Sequence, residues 1–373
     1  MRKNKINLVG HPYIPIGMGE HIRTSCRALR SVAQAPTLTD IFGFTEPTTE
    51  DGVEFNALTQ ESGDINIYHI NGNEVEPSLT HLYPKRSFTN YNIIYPLWEL
   101  SRYPEEWAQQ LDRFDEIWAP SKFIFEALNV VCRKPVVHMP MACEVKISQF
   151  LGRRYFHIPE TSYAFLFFYD LRSYTSRKNP HAVLAAFKET IRARPYSNAH
   201  LVIKVNGVGM KPDEYAALKQ EAAVFGSHIT LIEKVMTSTE VKNLIRCTDC
   251  FVSLHRSEGY GFGIAEAMVL GKPVVGTAYS GNMDFMNPNV SFAIDYKLIP
   301  VQAGEYPHFE NQVWADPDVL QASNYMVNLL DSPELGYARG QAAKQHMQNN
   351  FSYRKIGLSY SMRLEEIFAT LQH

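Results

Sequence analysis

The chain is poor in cysteine, has no long apolar run and carries no large excess of either charge. Its five cysteines (Cys26, Cys132, Cys143, Cys247 and Cys250) are odd in number and scattered through 373 residues. That pattern argues against a disulfide framework and suits a reducing cytoplasm. Cys247 and Cys250 have CxxC spacing, but no second pair lies nearby, so a buried structural role outranks zinc or redox chemistry. No stretch reaches the roughly 18 apolar residues of a membrane span, and the first residues lack a secretory apolar region. The expectation is a cytoplasmic protein. With 36 Lys and Arg against 39 Asp and Glu, the formal net charge is -3, which offers no case for nucleic acid as a partner.

What is present is an alternation of strand and helix signals long enough for two domains. Residues 5–10 read as a strand, 11–19 as a loop and 20–32 as a helix. Further strands are expected at 65–70, 92–96 and 114–120, with a helix starting near Ser121 as its N-cap. The pattern breaks between Met139 and Ser162. It resumes with strands at 163–169, 200–205, 229–232, 250–254 and 273–277, and helices at 180–193, 238–247, 262–270, 333–349 and 353–371. This predicts an α/β protein of two Rossmann-like, doubly wound domains. The boundaries drawn are 1–145 together with 353–373, a linker at 146–162, and 163–352. A ligand is expected in the cleft between them, at the carboxyl ends of the strands.

The chemistry-bearing residues fall at such strand ends. Glu258 and Glu266 bracket a loop with Gly259, Gly261 and Gly263, between a strand and a helix. Glycine amides at a helix start attract phosphate, and fixed carboxylates accept hydrogen bonds from sugar hydroxyls. The amides of Gly261, Phe262 and Gly263 are candidate donor contacts, with His255 and Arg256 on the same strand end. A lone histidine is more often structural than catalytic, and Glu266 could simply favour the helix dipole. Arg172 and Lys178, with Arg177 as a further candidate, can neutralise a diphosphate, although a solvated basic loop is the bland reading. Gly17 and Gly19 form a weaker glycine loop after the first strand. On the acceptor side, Trp98 could stack on a sugar, Glu99 could orient a hydroxyl, and His69 ends a strand. Packing explains Trp98 equally well. Arg23, Arg27 and Arg30 on the first helix could touch anionic lipid, against a solvated helix face.

The segment from Ser253 to Phe285, SLHRSEGYGFGIAEAMVLGKPVVGTAYSGNMDF, closely resembles glycosyltransferase family 4, marked by two glutamates with seven residues between them. FFYDLRSYTSRKNP (167–180), Gly17-Met18-Gly19-Glu20 and Phe351-Ser352-Tyr353 before a terminal helix extend the resemblance. It implies a GT-B fold whose last helix crosses back to the first domain. The activity implied is retaining, metal-independent hexosyl transfer from a nucleotide-diphosphate sugar. Arg172 and Lys178 would hold the diphosphate, Glu258 would meet the donor sugar, and Glu266 would bind the ribose hydroxyls. No cofactor or metal is expected, the chain being read as lacking an acidic Asp-x-Asp cluster for a divalent ion. Relatives in bacterial surface-polysaccharide assembly favour GDP-mannose as donor and a glycan or lipid-linked oligosaccharide as acceptor, with peripheral contact at the inner membrane face. A UDP-hexose donor, a noncatalytic nucleotide-sugar-binding scaffold and a sugar phosphorylase are the alternatives. Where many relatives carry a histidine near position 96, this chain has Trp98-Glu99.

Overall fold

A computed structural model describes residues 5–14, 16–42, 59, 61–83 and 88–371. The chain divides into two units, Met1–Glu144 with Asn349–His373, and Val145–Gln348. Each is built on a six-stranded sheet in which every adjacent pair of strands is parallel.

In the first unit the strands are β1 (Ile6–Gly10), β2 (Thr37–Asp40), β3 (Ile65–Tyr68), β4 (Tyr91–Ile94), β5 (Glu116–Ala119) and β6 (Val136–His138), ordered β2-β1-β3-β4-β5-β6. β1, β3 and β5 are buried along their whole length, as expected for parallel strands covered on both faces. The described helices are α1 (Gly17–Ser31), α2 (Val75–Leu82), α3 (Glu105–Leu111) and α4 (Lys122–Val131). Ser121 caps α4 as expected, its Oγ accepting from the Ile124 N–H at 3.3 Å. The last helix of the chain, Tyr353–Leu371, packs on α1 and so belongs to this unit. It buries Ile356, Tyr360, Leu364 and Ile367, an apolar stripe at helical spacing. Arg363 on this helix reaches the fully buried Glu116 of β5, with Nε 3.0 Å from Oε1 and Nη2 2.5 Å from Oε2. Trp118 Nε1 donates to Oε1 of the same carboxylate at 2.7 Å.

Arg23 and Arg27 on α1 are engaged within the protein. Arg23 is 4% exposed and donates to Glu20 and to the carbonyls of Pro12 and Ile14. Arg27 also pairs with Glu20. Arg23 thereby holds the preceding loop against the helix, whereas Arg30 in the last turn is exposed.

The second unit has β7 (Tyr163–Asp170), β8 (Ala199–Asn206), β9 (Ile229–Ile232), β10 (Cys250–Ser253), β11 (Val274–Thr277) and β12 (Phe292–Ile294), ordered β12-β11-β10-β7-β8-β9. Its helices are α5 (Thr175–Lys178), α6 (Pro180–Ala193), α7 (Pro212–Ala222), α8 (Ser238–Cys247), α9 (Phe262–Val269), α10 (Val319–Asp331) and α11 (Pro333–Asn350). An antiparallel hairpin, β13 (Tyr296–Pro300) with β14 (Val313–Pro317), stands apart from the main sheet. Residues 146–162 are held to this unit. Arg153 donates to the carbonyls of Cys247 and Ser162 and pairs with Asp249 at 2.6 Å, while Leu151 N–H donates to Asn243. The core is dominated by Phe165, Phe167, Phe187, Leu201, Ile203 and Val252.

In the second sheet β7 has β8 on one side and β10 on the other, so the chain reverses its winding direction between β7 and β10. Loops leaving the carboxyl ends of those two strands diverge there, which opens the place where parallel α/β sheets take ligands. Those loops carry 171–179 and 254–261.

Candidate functional site

Three residues meet at this switch point. Glu258 is 9% exposed, and its carboxylate is shared by Lys178 Nζ at 2.5 Å and Arg177 Nη1 at 3.2 Å. Burial alone would raise the Glu258 pKa. Lys178 and then Arg177 more than offset it and hold the carboxyl down at about 2. Arg177 is 3% exposed and also donates to the Ser257 carbonyl at 2.9 Å and to Ser173 Oγ at 2.5 Å. Two cations against one carboxylate leave this buried cluster with a formal excess of one positive charge, and low dielectric magnifies its pull on an anion.

The backbone explains how neighbouring residues 177 and 178 both reach one carboxylate. Tyr174 and Asn179, which bracket the short helix α5, adopt positive φ of 49° and 55°. Asn179 is among the residue types that tolerate this region, and its Nδ2 donates to Leu254 O at 3.0 Å, tying α5 to the end of β10. Ser280, φ 73°, accepts the Glu258 N–H on its Oγ at 2.7 Å, and Gly281 N–H donates to Glu258 O at 2.8 Å. Three such residues in the loops around one carboxylate mark a site where strain of roughly 1–3 kcal/mol each is tolerated.

Arg172 is placed differently from the expectation that paired it with Lys178. It folds back on Asp170, with Nε 2.9 Å from Oδ1 and Nη2 2.6 Å from Oδ2, and is 42% exposed. Burial would raise the Asp170 pKa, but the Arg172 contacts lower it overall. Arg177, the further candidate, is the arginine that shares Glu258 with Lys178. Lys204, 3% exposed near the end of β8, was missed because it reads as an ordinary strand residue. Burial pulls its pKa down to about 8 despite nearby Asp170.

His255 is fully buried. Its Nε2 lies 3.0 Å from Asn282 Oδ1 and 3.4 Å from Tyr279 O, and its Nδ1 is 3.0 Å from Ser253 Oγ. A carbonyl can only accept, so Nε2 carries the proton and Nδ1 accepts from the serine. Burial lowers its pKa and keeps the ring neutral. Sequence reading missed Ser280 and Asn282, though Ser280-Gly281, shortly after β11, is a turn signal.

The glycines separate by role. Gly261 caps α9 with φ 94°, a conformation other residues resist. At Gly263 a Cβ would come within 2.8 Å of Phe168 Cζ, so close helix-to-sheet packing demands that glycine. Phe262 opens α9 partly exposed, and Glu266 lies one turn further on, also partly exposed. In the first unit, Gly19 is required by packing, since a Cβ would sit 2.0 Å from Ile14 O. Gly17 is exposed with open space around it at the start of α1.

The acceptor-side candidates do not assemble. Trp98 is 2% exposed, donates to Arg102 O at 2.8 Å and packs on Tyr103 and Trp107, which makes it a core residue. His69 is fully buried against His21 (ring centroids 4.5 Å apart) and Tyr95, and burial lowers its pKa to about 3. Glu99 is partly exposed in the loop after β4. Among the described residues no group of three or more His, Cys, Asp or Glu is placed to hold a metal ion. An Asp-x-Asp spacing does exist at Asp316-Pro317-Asp318, which the sequence reading overlooked. Asp318 caps α10 through the Leu320 and Gln321 amides, and Asp316 lies 3.8 Å from Arg256. No described helix is long and apolar enough to cross a membrane.

Comparison with known proteins bears on the fold and on the second unit. No curated protein sequence matches the chain. HepE of Anabaena, solved with UDP and glucose, superposes with a TM-score of 0.72 at 12% identity, covering 98% of this chain and 100% of its own. Sucrose-phosphate synthase of Thermosynechococcus elongatus gives 0.69 at 13% identity over 99% and 100%. A glycosyltransferase of Rickettsia africae gives 0.68 at 13% identity over 98% and 99%. At such identities the likeness establishes the shared fold, and the two parallel six-stranded sheets are those of the GT-B class. Residues 156–298, which include the whole Arg177–Lys178–Glu258 cluster, match the family model for glycosyl transferases group 1.

Proposed function

We propose that the protein is a retaining, metal-independent glycosyltransferase. It moves a hexose from a nucleoside-diphosphate sugar to a hydroxyl of a glycan or lipid-linked oligosaccharide. The observation that carries this reading is the net-positive, buried Arg177–Lys178–Glu258 cluster at the β7/β10 switch point, inside the matched segment 156–298.

Departure of a nucleoside diphosphate builds negative charge on the bridging phosphate oxygen and positive charge on the anomeric carbon. Preorganised cations stabilise the first, typically the largest electrostatic contribution to such catalysis. Lys178 and Arg177 provide it, with Arg172 swinging from Asp170 onto the phosphates when the donor arrives. Glu258 meets the sugar and the developing positive carbon, and Glu266 binds the ribose hydroxyls. His255 acts by holding Asn282 and the 279–282 loop behind Glu258. The departing phosphate accepts the proton of the incoming hydroxyl on the same face, in keeping with retention.

The favoured donor is GDP-mannose, from the resemblance to surface-polysaccharide enzymes. HepE, solved with UDP-glucose, makes a UDP-hexose the second reading. Incubating the purified chain with GDP-mannose, UDP-glucose and UDP-N-acetylglucosamine, and measuring nucleoside diphosphate release with and without glycan acceptors, tests both. Donor hydrolysis abolished by Lys178→Ala is the expected result. Absence of binding and release with every nucleotide sugar would count against the reading.

A further inference from the structure

The hairpin β13–β14 has no part in the sequence motifs, yet it is fastened to both loops of the cluster. Arg256 is the fastening. Its backbone N–H donates to Arg177 O at 2.8 Å, and its carbonyl accepts from Ala315 N–H at 3.0 Å. Its Nη1 lies 3.4 Å from Ser176 O and 3.4 Å from Glu305 Oε1, and its Nη2 is 3.8 Å from Asp316 Oδ1. The guanidinium stands over the Trp314 ring, 5.4 Å from the centroid. Two aromatic contacts run parallel to it. Tyr306 meets Tyr174 at 4.7 Å, and Tyr296 meets Tyr279 at 5.1 Å. Tyr174 opens the turn bearing Arg177 and Lys178, and Tyr279 precedes the Ser280 that receives the Glu258 N–H.

We propose that Arg256 is a positioning residue. It clamps the 296–317 hairpin to the 174–178 turn and thereby sets where Arg177 and Lys178 present their charge to a diphosphate. The ligand named here rests on the nucleotide-sugar reading; the mechanical coupling does not. Arg256 and Glu305 are partly exposed, Asp316 is exposed and the ion pairs are long, so they add little to stability. A planar fork with bonds to two segments supplies alignment, and a lysine ammonium cannot reproduce that geometry.

Hydrogen exchange on the whole chain reads the coupling without ligand. Arg256→Ala should accelerate amide exchange in both 174–180 and 296–317, by about tenfold or more. Acceleration confined to the hairpin, or none, overturns the proposal. Arg256→Lys, which keeps charge and volume, should accelerate both segments to a smaller extent and serves if the alanine variant does not fold. Titration with UDP and with GDP supplies the second readout. Arg256→Ala should weaken binding of whichever nucleotide the wild type takes by about tenfold, with partial rescue in Arg256→Lys. In a Lys178→Ala background the same substitution should change affinity by less than about twofold, because residues acting through one another are non-additive. Full additivity would assign Arg256 a merely structural role. A wild type that binds neither nucleotide removes the donor reading, and the exchange result still decides the coupling.

Discussion

Arg177 Nη1 stands 3.2 Å from Glu258 Oε2, so this carboxylate is gripped by a residue 81 positions away and by that residue's own neighbour, Lys178. The grip has two consequences. Glu258 is ionised and pre-aimed before any substrate arrives, and the cluster keeps a formal positive charge to offer an anion.

Lys178→Ala should lower turnover by about a hundredfold or more, the scale seen when one preorganised charge is removed. Its effect on melting temperature should be small, since Arg177 still answers Glu258. Glu258→Ala is a harsher change, leaving two cations without their carboxylate at a cost of about 3 kcal/mol. Glu258→Gln keeps an acceptor and separates folding from chemistry. Nucleoside diphosphate release and thermal melts on the three variants check this, and near-normal turnover in all of them would remove Glu258 and Lys178 from the site.

Acid stability should carry a signature of the same grip. The Glu258 pKa falls from an ordinary 4.5 to about 2 on folding. Its stabilisation is therefore complete above pH 4.5 and disappears as pH drops through about 2. Glu240, also held near 2 against the effect of burial by Lys234 and Tyr155, works in the same window. Denaturant midpoints measured between pH 6 and 2 should decline less steeply in Glu258→Gln than in the wild type.

A second pH effect belongs to the first unit. His69 is neutral when folded, with a pKa near 3 against an ordinary 6.5. Stability is unaffected by it above pH 6.5 and is lost as pH falls toward 3, the loss being on the order of 2 kcal/mol at pH 5. His69→Leu should flatten that decline. His21, whose pKa is lowered by burial and then by His69, contributes with the same sign. Equal pH profiles for the variant and the wild type would contradict the assignment.

Gly263 and Gly17 make a contrasting pair. Gly263→Ala drives a Cβ into the Phe168 ring and should destabilise the second unit by about 1–3 kcal/mol. Gly17→Ala meets no atom within 4 Å and should leave the unfolding free energy within about 0.5 kcal/mol of the wild type. If a phosphate approaches the backbone there, Gly17→Ala will still weaken donor affinity. Calorimetry and nucleotide titration on both variants separate packing from binding.

The parallel strands were legible because burial on both faces writes them as continuous apolar runs, as in Phe165-Leu166-Phe167 and Phe251-Val252. Short or partly exposed elements were not. The sequence reading passed over β2, β6, β12, the β13–β14 hairpin and the helices α2, α3, α7 and α10, whose local signals are weak beside the contacts that hold them. The glutamate loop and the Arg-Lys turn were legible as residue types at strand ends. Which arginine joins Lys178 was not, because Arg172 and Arg177 carry the same charge five residues apart.

By itself, the order of apolar runs and glycine-marked turns determined an α/β chain with two parallel sheets, since periodicity and turn chemistry are local properties. It also named Glu258 and Lys178, because a charged group at a strand's carboxyl end is readable from position alone. Only the tertiary structure decided that Arg177 closes on Glu258 while Arg172 turns to Asp170, and that His69, His255 and Trp98 lie inside the core. It alone decided, too, that Arg256 ties a distant hairpin to the site. Those outcomes depend on which loops the strand order makes neighbours, on positive φ at Tyr174, Asn179 and Ser280, and on burial. They are non-local, and no window of sequence contains them.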